Sequence, residues 1–103
     1  MLQSFEVQVA AIARKQAIEA AEYVAQDSPA AAAGFIQRFD EGLESLEKMP
    51  LRGAIVPETK RWRTEFRQIL VVPYRLIYEV QGSTVRVLRV VHSSRRADPK
   101  PPK

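Results

Sequence analysis

The sequence predicts an α+β fold: an N-terminal strand and an α-helical hairpin packed on a C-terminal three-stranded antiparallel meander. Three observations carry this. Apolar residues alternate near the N-terminus, recur every three or four positions from about Ala10, and alternate again in the second half. Prolines at Pro29, Pro50 and Pro73 fall where one pattern stops and the next begins. Finally, 103 residues can bury one compact core but not two, so residues 1–96 are expected to form one domain.

Each element follows from local chemistry. Phe5, Val7 and Val9 alternate with Glu6 and Gln8, the pattern of a short half-buried strand. Ile12, Ala13, Ala17, Ala20, Ala21 and Val24 then line one side of a helix of about four turns, with Tyr23 beside the stripe. Asp27-Ser28-Pro29 offers a stop, a cap and a proline at the first position of a second helix. That helix buries Phe35, Ile36, Phe39, Leu43 and Leu46, turns its charges outward, and ends at Met49-Pro50. The small residues Ala30 to Gly34 allow the two helices to approach closely; the alternative is that they form a docking groove.

After an irregular connection through Gly53 and Pro57, Phe66 to Val72 reads as an inner strand limited by Pro73. Tyr74, Leu76 and Tyr78 share one face of the next strand, Arg75 and Ile77 the other. Gln81-Gly82-Ser83 is a hairpin turn signal, and Val85 to His92 forms the last strand. Strict alternation there groups Val85, Val87, Arg89 and Val91 against Arg86, Leu88, Val90 and His92. Arg75 on a central strand is the odd residue, because a guanidinium buried alone costs several kcal/mol. It must pair, with Glu65 or Glu79 as candidate partners, or reach solvent. Residues 97–103, rich in proline and lysine, are expected to be a flexible tail.

Charge is divided unevenly. Residues 1–51 carry four basic and eight acidic side chains, whereas residues 52–103 carry twelve basic and four acidic. The second half is therefore suited to an anionic partner, nucleic acid or an acidic protein segment. The chain has no cysteine, which excludes disulfides and thiolate chemistry, and its single histidine makes a metal site improbable on composition; no cofactor is expected. No apolar run is long enough for a membrane span, so a cytoplasmic protein without membrane contact is expected.

The stretches SPAAAAGFIQRF, LESLEKMP, VPE, FRQILVVPYRLIYEV and VRVLRVVHSSRR, in that order and spacing, closely resemble the RelE/ParE superfamily of type II toxin–antitoxin toxins over residues 5–96. No single motif carries the likeness; the Y-R-x-x-Y strand and the V-x-V-L-x-V-x-H-x-x-R end contribute to it through their order and spacing with the rest. The resemblance implies a bacterial growth-inhibiting toxin, neutralised by the acidic or amphipathic C-terminal segment of a cognate antitoxin. It also implies one of two targets. RelE-like members cut mRNA on the ribosome, whereas ParE-like members block DNA gyrase. The long hairpin with Ser28-Pro29 is closer to the ParE-like branch, in which the protein is not an enzyme. A third reading is a non-toxic paralogue that binds antitoxin.

The nuclease alternative has definite requirements. Attack by the RNA's own 2′-OH needs a base, an acid for the leaving oxygen and cations around the phosphorane, but no metal. By resemblance Glu58 would be the base, His92 the acid and Arg75 the phosphate contact. The lysine pair and final tyrosine of the ribosome-cutting prototype have no counterparts here. In either branch Arg67, Arg75, Arg89, Arg95 and Arg96 are the expected antitoxin- or target-binding cations.

Overall fold

In the computed structural model, residues 4–57 and 65–94 are described. Their elements are β1 (Glu6–Val9), α1 (Ala11–Asp27), α2 (Pro29–Lys48), β2 (Ala54–Ile55), β3 (Arg67–Val71), β4 (Tyr74–Gln81) and β5 (Thr84–His92). The strands form one mixed sheet in the order β1-β5-β4-β3-β2. The expected meander β3-β4-β5 is its centre. β1 extends it by pairing parallel to β5, from Glu6 opposite Thr84 to Val9 opposite Val87. The two-residue β2 is too short to show a period in sequence, and arises by pairing Ala54 and Ile55 with Gln68 and Arg67.

A single residue joins the two helices. The Ser28 N–H donates to the Val24 carbonyl, closing α1, while its hydroxyl accepts from the Ala31 N–H and its carbonyl from the Ala32 N–H, opening α2. Pro29 stands at the first helical position, where its missing N–H costs nothing. The hairpin packs on one face of the sheet. Phe35, Leu46, Ala13 and Ala20 meet Leu76, Tyr78, Val85, Val87 and Val90 in the main core. Gly42 eases this approach, since a Cβ there would lie 3.2 Å from Ile69 Cδ1, closer than ordinary van der Waals contact.

Tyr78 secures the connection after α2. Its hydroxyl donates to the Pro50 carbonyl at 2.7 Å and accepts the Gly53 N–H at 3.0 Å. A Cβ on Gly53 would fall 2.5 Å from the Gln68 carbonyl oxygen and 2.6 Å from the Tyr78 hydroxyl, so only glycine fits. Burial pushes the Tyr78 phenol above its ordinary 10.0, partly opposed by the Gly53 hydrogen bond and by Arg67 and Arg52. At the β4–β5 turn Gly82 has φ 58°, the left-handed conformation the two-residue turn requires there.

One expectation needs correction. Tyr78 pairs with Val87 but Ile77 pairs with Arg89, so Leu88 is an extra residue, a β-bulge. The bulge shifts the alternation of β5. Val85, Val87, Val90 and His92 face the helices, while Arg86, Leu88, Arg89 and Val91 face away. Two parts of the apolar helix stripes are also less covered than their periodicity predicts: Ile12 and Ile36 are about half exposed.

Candidate functional site

The surface away from the helices holds a smaller apolar cluster, Val56, Phe66, Ile77 and Leu88, with Val91 packed against it. Charges lie among these side chains. Arg75 is 6% exposed and Glu79 4%, on either side of the fully buried Ile77 along β4. Arg75 Nη1 donates to Gln68 Oε1 at 2.6 Å. Gln68 is opposite Ile77 on β3, so strand pairing delivers this amide to the guanidinium. A neutral acceptor is a partner that periodicity does not advertise. Glu65, one of the two expected partners of Arg75, lies 3.1 Å from Arg67 Nη2 instead.

The predicted cations are not on one face. Arg67 pairs with Tyr78 and so stands on the helix side, where Nη1 donates to the Gly53 carbonyl at 2.9 Å. Arg75 and Arg89 stand on the other side, next to each other's strands: Arg75 is opposite Val91 and Arg89 opposite Ile77. Arg89 is half-buried and its Nη1 donates to the Leu88 carbonyl at 2.7 Å. Glu58, Arg95 and Arg96, and the tail from 97 to 103, lie outside the described residues.

His92 is opposite Tyr74 on the helix side, and their rings meet edge to face with centroids 5.3 Å apart. Tyr74 in turn packs on Phe35 at 5.5 Å. His92 Nδ1 accepts the Ser94 N–H at 3.2 Å and lies 2.7 Å from the Ser94 hydroxyl, which assigns the neutral ring the Nε2–H tautomer. Arg75 and His92 therefore project from opposite faces of the sheet, although only a diagonal of the ladder separates them. The sequence gives the neighbours in β4 and β5 but not the phase between them, which the Leu88 bulge resets.

Among the described residues, concavities open on the helix side. The first is an apolar groove of about 440 Å³ along the hairpin, floored by Ala17, Ala21, Phe35 and Phe39 and edged by Ile18 and Ile36. Those isoleucines are 55% and 50% exposed, more than folding alone would leave on two β-branched residues of adjacent helices. The second is a polar pocket of about 500 Å³ at the end of β4 and β5, between Gln16, Glu19 and Tyr23 of α1 and Tyr74, His92 and Ser94. Gln16, Glu19 and Tyr23 carry no motif, and only the folding of α1 over β5 brings them to the histidine. Gln16 Oε1 anchors that arrangement by accepting the Val90 N–H at 2.8 Å.

Among the described residues no group of three or more His, Asp or Glu side chains is disposed to hold a metal ion, and no helix is long and apolar enough to cross a membrane. Among curated proteins no sequence matches this chain significantly. A solved structure described as the chromosomal ParDE TA system from P. aeruginosa shares the fold at 19% sequence identity and a TM-score of 0.65, over 86% of this chain and 96% of that one. The family model for the ParE toxin of the type II toxin–antitoxin system parDE matches residues 7–97. An α-helical hairpin on a mixed sheet, with a strand arginine and a terminal histidine on opposite faces, thus has its family: this chain belongs to the ParE toxins of type II toxin–antitoxin systems.

Proposed function

We propose that the chain is a growth-inhibiting toxin that works by binding and blocking DNA gyrase in the cytoplasm rather than by cutting RNA. The observation that carries this reading is the separation of Arg75 and His92 by the sheet. General acid catalysis needs the proton donor within hydrogen-bond reach of the leaving oxygen while the phosphate is held by the cation. Side chains that leave opposite faces of one sheet cannot enclose one phosphodiester. A protein-binding inhibitor has no such requirement, and its surfaces can be spread over both faces.

In the same reading a cognate antitoxin holds the toxin inactive. Its apolar side chains fill the hairpin groove between Ile18 and Ile36, whose exposed edges gain burial of about 25 cal/mol per Å². Its carboxylates meet the partly exposed Arg67 and Arg89 and the basic stretch at Arg95 and Arg96, with Arg75 held beneath by Gln68. The test is induction of the chain without antitoxin, followed in parallel for a DNA-damage response and for transcript cleavage, with gyrase supercoiling measured in vitro. Blocked supercoiling with intact transcripts is expected. Normal supercoiling at saturating protein overturns the reading; transcript cleavage lost in Arg75→Ala would instead establish the mRNA endonuclease.

A further inference from the structure

We infer that the pocket at the end of β4 and β5 is a receptor for an arginine side chain presented by a protein partner. The chain carries 16 lysines and arginines against 12 acidic residues, yet no lysine or arginine is among the described residues that line this pocket. The carboxylate among those described residues is Glu19, on the exposed side of α1. The remaining polar lining comes from Gln16, Tyr23, Tyr74, His92 and Ser94. Among the described lining residues an anion would meet the Glu19 carboxylate and no cation, whereas a cation would meet that carboxylate and aromatic side chains.

The aromatic groups make the choice narrower. Tyr23 is 60% exposed at the rim, where its ring is accessible to a guest. Tyr74 packs on Phe35 with the rings tilted and meets His92 edge to face, so its ring is fixed in the pocket wall. A flat, weakly hydrated guanidinium can stack on such rings while donating to a carboxylate, which a compact ammonium does less well. His92 Nδ1 is already engaged as the acceptor of the Ser94 N–H. The opening of about 500 Å³ admits a whole side chain with part of its backbone. The hairpin side of the chain is also its acidic half, so a partner crossing it gains from carrying basic residues there. The assignment is independent of which target the toxin acts on.

The test uses the full chain, labelled with ¹⁵N, and three small probes: acetyl-arginine methylamide, its citrulline counterpart and its aspartate counterpart. Backbone amide signals of residues 16–23 and 90–94 are followed during titration. The arginine probe is expected to shift these signals in a saturable way and to bind at least about tenfold more tightly than citrulline, which has the same shape without the charge. Glu19→Gln, at an exposed position, should weaken the arginine probe about fivefold. Tyr23→Ala should weaken it by a similar factor. Equal binding of citrulline, tighter binding of aspartate, shifts centred elsewhere, or full affinity in both variants overturns the assignment.

Discussion

The two faces of β4 bury similar fractions of their side chains but by different chemistry. Toward the helices, Leu76 and Tyr78 are fully buried against Phe35, Leu46 and the valines of β5, and the tyrosine hydroxyl has both a donor and an acceptor role. On the reverse, Ile77 is equally buried, but it stands between two buried charged residues, Arg75 and Glu79. Apolar burial stabilises in proportion to area, whereas an ionised group loses hydration on burial and recovers it only through well-placed partners. The helix side therefore holds the fold together. The reverse side keeps charge where the net gain depends on how well each group is partnered.

That contrast can be broken most directly by truncating each side. Phe35→Ala should cost about 3–5 kcal/mol, since it empties the space between α2 and Tyr74. Leu88→Ala, in the cluster of four on the reverse, should cost about 2–3 kcal/mol. Chemical denaturation of both variants measures the difference, and an inverted order would mean that the reverse side is the principal core. Tyr78→Phe should cost about 1–2 kcal/mol by leaving the Gly53 N–H and the Pro50 carbonyl without their partner.

Arg75→Met sharpens the comparison from the other direction. If the buried guanidinium adds little net stability, the variant should unfold within about 1 kcal/mol of the parent. A loss above about 3 kcal/mol would make Arg75 a structural support and remove the functional argument for it. The smallest effect is in alkaline pH. The Tyr78 phenol titrates above 10.0 in the folded chain, so the folded state holds its proton longer than the unfolded state does. This residue's contribution is complete below pH 10.0 and declines as pH rises past it. The stability gap between the parent and Tyr78→Phe should accordingly narrow above pH 10.0 in denaturation curves, and a gap that stays constant would show that the phenol is not protected by burial.

Local pattern accounts for most of the element boundaries. Ser28-Pro29 and Met49-Pro50 bound α2 at Pro29 and Lys48, and Gly82 marks the β4–β5 turn, because caps, proline and positive φ act within a few residues. The hairpin stripe of Phe35 and Leu46 is equally visible as a helical period. The site was legible in part. Arg75 is conspicuous in sequence as a charge on a central strand, and its burial bears that out. Its acceptor Gln68 was not, since a neutral amide seven residues away becomes a partner only through the β3–β4 register.

Sequence alone, then, determined the order of strand, hairpin and meander, the charge asymmetry of the two halves and the family resemblance, all of which depend on composition and short-range periodicity. Tertiary structure decided the rest. Pairing of β1 with β5, recruitment of β2 and the bulge at Leu88 are choices of register between distant segments. The bulge has the largest consequence: one unpaired residue shifts the two-residue alternation, sending His92 toward the helices and Arg89 to the reverse, the side of Arg75. Alternation along a strand shows which residues share a face until a bulge intervenes, and whether one intervenes depends on the neighbouring strand.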